Sequence, residues 1–237
     1  MGFTKISKAY ASYVAPTRCL LCDRLLEDQE ELLCTMCISH LTPSVHKDDS
    51  HSATARLFWG QASIEKAGVL WVYQADSPIA QLLIDIKYRH QAALCQHLGR
   101  IMAIHYLKRN FFEGIDVIVP VPLSVEREHW RGYNQSGKIA EGIAEVTHIS
   151  LDTQSVVRNC NNPTQTRLSP SARQRNVWGI FTVARPECLE GKHILLVDDI
   201  ITTGATLSEL ARTLSSSLPS SRFSILALGR GEDVLID

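Results

Sequence analysis

Apolar residues recur along this chain at two spacings, and the two alternate. Ile194-Leu195-Leu196-Val197 is an unbroken apolar run, as in a parallel strand buried on both faces. Residues 67–73, 116–122 and 223–228 have a similar strand-like composition, and the second of them stops at two prolines. Between these runs the spacing changes to that of a helix with one apolar side. Ile79, Leu82, Leu83 and Ile86 follow Ser77-Pro78, with proline at the first helical position. Leu94, Leu98, Ile101, Met102 and His105 mark a second helix within residues 91–109. Ile139, Ala140, Ile143 and Val146 mark a third, with Ser136 read as its cap. Leu207, Leu210, Ala211 and Leu214 mark a fourth. Short extended pieces are expected at 155–158 and 181–183, as β elements sharing the sheet with residues 194–197, and the stretches 123–135 and 159–179 read as loops.

At 237 residues the pattern suits one medium α/β domain with a small appendage. Residues 42–56 are polar and aperiodic and read as a linker. The expected division is a small module and linker over residues 1–50 and a larger domain over residues 51–237. A formal net charge of −1 provides no overall basic field for bulk nucleic-acid binding. No apolar run approaches the ~18 residues needed to span a membrane. The opening residues lack the apolar core of a signal peptide, and Ile6 stands where a myristoylation motif wants Ser or Thr. A cytoplasmic location is expected.

Seven cysteines change the picture of the amino-terminal part. Four form the paired knuckles Cys19-x2-Cys22 and Cys34-x2-Cys37, while Cys95, Cys160 and Cys188 stand alone. The odd total argues against a disulfide framework. Two knuckles present four thiolates to one ion, a tetrahedral zinc site. With every position filled by protein, such a zinc is structural, and in so small a segment it supplies much of the folding energy. His40 and His46 are weaker alternative ligands. Whether the module also touches nucleic acid or protein, or only staples the chain, stays open at this point.

The most specific chemistry lies after the apolar run, in Asp198-Asp199-Ile-Ile-Thr202-Thr203-Gly204-Ala205-Thr206. The small turn aims backbone N–H groups and three threonine hydroxyls toward an anion at a helix start, a cradle for a terminal monophosphate. The adjacent carboxylates suit the vicinal hydroxyls of a ribose. A helix cap needs one acid rather than two. Cations for a second phosphate group come from Arg127 and Arg131 and from an arginine run: Arg158, Arg167, Arg173, Arg175 and Arg185, with no acid or lysine between Thr153 and Pro186. The implied ligand has phosphate at one end, ribose in the middle and a magnesium-bound diphosphate at the other. No G-x4-G-K-[ST] motif is present, so a P-loop NTPase is excluded. Trp130, Tyr133 and Trp178 near the basic loops are candidates to stack bases, and equally candidates for packing.

Residues 194–207 resemble the signature with which type I phosphoribosyltransferases bind 5-phosphoribosyl 1-diphosphate (PRPP). The wider chain is similar to the ComF/GntX family. The similarity is carried by the four cysteines, by Pro120-Val-Pro-Leu123 with Arg127 and Arg131-Gly-Tyr-Asn-Gln135, and by Gln165-Thr-x-Leu168-Ser with Arg173 and Asn176. The resemblance implies a central parallel sheet flanked by helices, preceded by a zinc-ribbon-like module. It implies that Asp198 and Asp199 hold the ribose and that Thr202, Thr203, Gly204, Ala205 and Thr206 hold the 5′-phosphate. Residues 120–135 would be the pyrophosphate loop and residues 159–179, with Arg167, Arg173 and Arg175, a loop closing over the site. It further implies Mg2+ with PRPP, structural Zn2+, and an association with DNA uptake. Two readings follow: a phosphoribosyl transfer to an unidentified acceptor, or a non-catalytic nucleotide or single-stranded DNA binding protein.

Overall fold

A computed structural model describes residues 18–41, 43, 51–60, 63–88, 91–159 and 179–232. The chain separates into two compact units, residues 1–42 and residues 43–237.

In the first unit a bridge between Arg18 and Leu25 closes the first cysteine knuckle. The second knuckle starts helix α1, Thr35–His40, with Cys34 at the N-cap and its sulfur accepting from the Cys37 N–H. Arg24 pairs with Glu30 at 2.8 Å, and the Glu30 carboxylate also accepts from the Glu27 and Thr35 amides. These bonds organise a segment that has few apolar residues to bury.

The second unit is built on five strands: β1 (Lys66–Tyr73), β2 (Val117–Pro120), β3 (Ser150–Leu151), β6 (His193–Ile201) and β7 (Arg222–Gly231). Their order is β1-β7-β6-β2-β3 and every pairing is parallel. The carboxyl ends of β1, β7, β6 and β2 therefore share one rim, where parallel sheets of this type receive ligands. β6 lies in the middle, which explains its unbroken apolar run: Ile194 through Val197 are fully buried.

Helices α2 (Ala53–Arg56) and α7 (Ala205–Ser217) contribute Ala55, Leu207, Leu210, Ala211 and Leu214 to one buried cluster with Ile194 and Leu196. Helices α3 (Pro78–Tyr88), α4 (Ala92–Leu107) and α6 (Gln135–Thr147) complete the helical layer, with α6 packed on β2 and β6 and α4 packed on α6. The α4–α6 contact depends on two glycines. A Cβ on Gly99 would meet the Ile139 carbonyl, and one on Gly142 would meet the Gln96 carbonyl, so the two backbones approach closer than side chains allow.

Four local expectations are corrected. Residues 123–135 are not all loop: Val125–Arg131 form helix α5, capped by Ser124 and ended by Gly132 in the left-handed region. Helix α6 starts at Gln135 with Asn134 at its N-cap, so Ser136 lies inside its first turn rather than capping it. The linker reading of residues 42–56 extends too far, because Ser52 caps α2 through a bond from the Ala55 N–H. The short strands β4 (Val156–Arg158) and β5 (Phe181–Val183) pair antiparallel with one another, outside the sheet that carries the acidic pair.

Candidate functional site

The acidic pair lies near the carboxyl end of β6, which runs on to Ile201, and its two side chains have different partners. Asp198 Oδ1 accepts from Ser136 Oγ at 2.9 Å and from the Asp199 N–H at 2.9 Å. Asp199 Oδ1 accepts from the Ile200 N–H at 2.7 Å, and its Oδ2 lies 3.3 Å from Lys87 Nζ. Asp198 is half-buried, and protein atoms crowd its carboxylate. That burial, followed by the charge of Asp199, pushes it up to about 7, while the Asp199 amide and Ser136 act against the shift.

Beyond the pair the chain turns into α7. Gly204 sits at the N-cap with φ of 75° and is buried, while Thr202 and Thr203 are exposed and Ala205 and Thr206 half-buried. A Cβ on Gly204 would lie 3.3 Å from Phe58 Cε1, so the turn rests on a buried phenyl ring. A 13-residue helix thus begins close in sequence to the acids, its Ala205 N–H donating to Thr203 Oγ1 at 3.4 Å. The first amides of such a helix, with their partial positive charge, can receive an anion.

On the β2 side lies a cavity of about 490 Å³, lined by Pro120, Pro122, Asn134, Gly137, Lys138 and Arg158 among others. The Arg158 guanidinium lies 5.6 Å over the Phe181 ring. Burial and the neighbouring Arg127 guanidinium press its pKa down, and the Asp198 carboxylate works the other way. Arg127 is exposed on α5, and Arg131 donates to Gln135 Oε1 at 2.8 Å. Arg167, Arg173 and Arg175 lie outside the described residues, as does Trp178. Tyr133 is a packing residue: it is buried and donates to the Ile86 carbonyl at 2.6 Å. Trp130 is exposed.

Sequence reasoning missed Ser136 and Lys87. Ser136 read as a cap, and its bond to Asp198 depends on α6 crossing β6. Lys87 carries no motif and reaches Asp199 only through the placement of α3.

In the first unit the ligand atoms of Cys19, Cys22, Cys34 and Cys37 lie within 4.8 Å of one another. Cys22 and Cys34 sulfurs are 3.6 Å apart, close to the ~3.8 Å edge of a tetrahedron with zinc–sulfur bonds of about 2.3 Å. The Cys19 thiol is lowered to about 6: burial is the largest single influence and opposes ionisation, but bonds from the Cys34, Cys22 and Leu21 amides together outweigh it. The Cys34 thiol is also lowered, chiefly by the Cys37 amide, whereas burial raises Cys37. The donor set fits zinc, which would act there as a structural tie. His46 and the His40 side chain lie outside the described residues. Among the described residues no other group of three or more Cys, His, Asp or Glu gathers as a metal site. Nor, among them, is any helix long and apolar enough to cross a membrane.

A central parallel sheet flanked by helices, with a four-cysteine unit preceding it in the chain, is the architecture that the sequence resemblance implied. No protein-family model matches the chain. DNA utilization protein YhgH of Escherichia coli (strain K12) is 33% identical over 141 residues, 58% of this chain and 61% of its own length. Competence protein F of Haemophilus influenzae is 30% identical over 141 residues, 58% of this chain and 62% of its own. Competence protein ComFC of Bacillus subtilis (strain 168) is 40% identical over 147 residues, 60% of this chain and 56% of its own. The chain's homologues are thus proteins of the ComF family. The match spans about 60% of the length of these relatives. Among solved structures, the glutamine PRPP amidotransferase from B. subtilis aligns with a TM-score of 0.40 and 22% identity, over 60% of this chain and 30% of that one. The Trypanosoma cruzi hypoxanthine phosphoribosyl transferase aligns with a TM-score of 0.35 and 13% identity, over 62% of this chain and 68% of that one. Likeness at this level decides nothing about chemistry.

Proposed function

We propose that the protein binds PRPP and transfers its phosphoribosyl group to an acceptor, releasing pyrophosphate, in a process serving DNA uptake or use. The observation that carries this reading is the juxtaposition near the end of β6: two carboxylates with different partners, then a short turn with exposed threonines, a buried left-handed glycine and a helix N-terminus. The turn at 202–206 would hold the 5′-phosphate, and Asp198 and Asp199 would accept from the ribose hydroxyls. The cavity that Arg158 borders also carries Glu128 and Glu141, and Glu141 pairs with Lys138 at 2.8 Å, so the cation it would offer the diphosphate is Arg158. The link to DNA rests on the names of the relatives.

In the transfer, the bond from the ribose C1 to the diphosphate breaks as the acceptor's lone pair forms a bond to the same carbon. The ribose gains positive charge on the way, which the neighbouring carboxylates stabilise. Arg127 and Arg158 offset charge on the departing diphosphate, and magnesium carried with it would add further charge neutralisation. No side chain in the cleft needs to act as a strong base if the acceptor is an amine or ring nitrogen.

A second reading is favoured by the separate four-cysteine unit, which the transfer chemistry does not require: a protein that holds nucleotides or single-stranded DNA without turnover. Titration of magnesium-PRPP into the wild type and into Asp198→Asn/Asp199→Asn tests binding, with at least a tenfold loss expected in the variant. Turnover of radiolabelled PRPP against nucleobases and amines separates the two readings. Binding without turnover toward any acceptor selects the second, and equal affinity in both proteins removes the ribose assignment.

A further inference from the structure

The two acids of the pair are held by different parts of the fold. Asp198 belongs to α6 through Ser136. Asp199 belongs to α3 through Lys87, whose Nζ lies 3.3 Å from Oδ2 with the two side chains 24% and 13% exposed. The partners of Asp199 leave it little freedom, because the Ile200 N–H holds the other oxygen at 2.7 Å.

The end of α3 is itself fixed. Leu83 packs so tightly on β7 that a Cβ on Gly229 would collide with it, and the Ile86 carbonyl, next to Lys87 in the chain, accepts from the buried Tyr133 hydroxyl at 2.6 Å. A lysine in the last turn also suits the negative end of the helix. The ammonium is thus delivered to Asp199 by backbone anchored on both sides. A compact ammonium occupies one lone-pair direction of a carboxylate oxygen and leaves the others open to a hydroxyl donor.

We propose that Lys87 is a positioning residue for ribose recognition: it holds Asp199 as an oriented acceptor for a ribose hydroxyl, without itself contacting the diphosphate. This inference rests on the ribose reading of the acidic pair. It separates ribose affinity from phosphate affinity, because the turn at 202–206 rests against Phe58 and opens α7, whereas Lys87 is carried on α3.

The test is titration of ribose 5-phosphate, magnesium-PRPP and inorganic phosphate into the wild type, Lys87→Met and Lys87→Arg. Lys87→Met should bind ribose 5-phosphate and magnesium-PRPP about 10-fold more weakly and inorganic phosphate as before, with most of the loss recovered in Lys87→Arg. Unchanged ribose 5-phosphate affinity in Lys87→Met overturns the inference. So does a loss confined to magnesium-PRPP, which would mark a diphosphate contact, and so does an equal loss for inorganic phosphate, which would mark general collapse. A wild type that binds neither sugar phosphate overturns the ribose reading and this inference with it, whereas a wild type that binds both while Lys87→Met matches it overturns the role of Lys87 alone.

Discussion

Ser136 Oγ donates a 2.9 Å hydrogen bond to Asp198 Oδ1, tying the first turn of α6 to the end of β6. The bond favours the ionised carboxylate, since a hydroxyl donates more strongly to a charged oxygen. Ser136→Ala should therefore raise the Asp198 pKa further and destabilise the fold by about 1 kcal/mol. The pH profile of ribose 5-phosphate binding checks this. Its midpoint should move upward in the variant, with a smaller change in the affinity reached at high pH.

Asp198 also gives the protein a particular pH dependence. Burial and the charge of Asp199 push it up to about 7, above the ~3.9 of an unfolded chain. A group raised in the folded state contributes stability that is fully present below the unfolded value and is lost as pH rises through the folded one. The window is therefore about pH 4 to 7, and within it this group lowers stability as pH increases. Asp198→Asn keeps the shape without the charge. It should be more stable than the wild type at pH 8 by about 1–2 kcal/mol, a discounted figure because solvent reaches part of half-buried Asp198. The gain should vanish near pH 4. Denaturant melts of both proteins at the two pH values measure it.

Gly204 answers a different demand. Its φ of 75° disfavours any residue with a Cβ, and that Cβ would stand 3.3 Å from the buried Phe58 ring. Gly204→Ala should lose about 1–2 kcal/mol of stability and should weaken inorganic phosphate binding, because the amides at the start of α7 are re-aimed. A variant that melts earlier yet binds phosphate normally would show that the turn does not form the cradle.

These elements differ in how far they could be read from the sequence. The buried strand at 194–197 and the apolar face of α7 were legible because each buries a full stripe of side chains, and burial is what periodicity reports. Helix α5 has no buried residue, so it sends no periodic signal. Only its ends, Ser124 and the left-handed Gly132, marked it. The acids and the threonine turn were legible because they are contiguous. Lys87 and Ser136 were not, because what makes them part of the site is the crossing of α3 and α6 over the sheet. The arginine run illustrates the opposite error. Arg158 does reach the cleft beside Asp198, but it does so from a separate antiparallel pair rather than from the central sheet.

The four-cysteine unit provides a test independent of the cleft. Its described helix is six residues long, far below the length at which a helix stands alone in water. Its N-cap is Cys34, whose sulfur is at once a cap and a metal-site donor. Removing the metal leaves converging sulfurs, with Cys19 and Cys34 biased toward the ionised form by nearby amides and no cation to offset their charge, so the site should open rather than persist empty. The expected outcome is one zinc per chain in the wild type and none in Cys19→Ser. Amide hydrogen exchange at Thr35–His40 should rise by orders of magnitude on chelation, because those amides are protected only while the knuckles are tied. Full protection of that helix in metal-free protein would show that the Arg24–Glu30 pair and its amide bonds hold the unit without zinc.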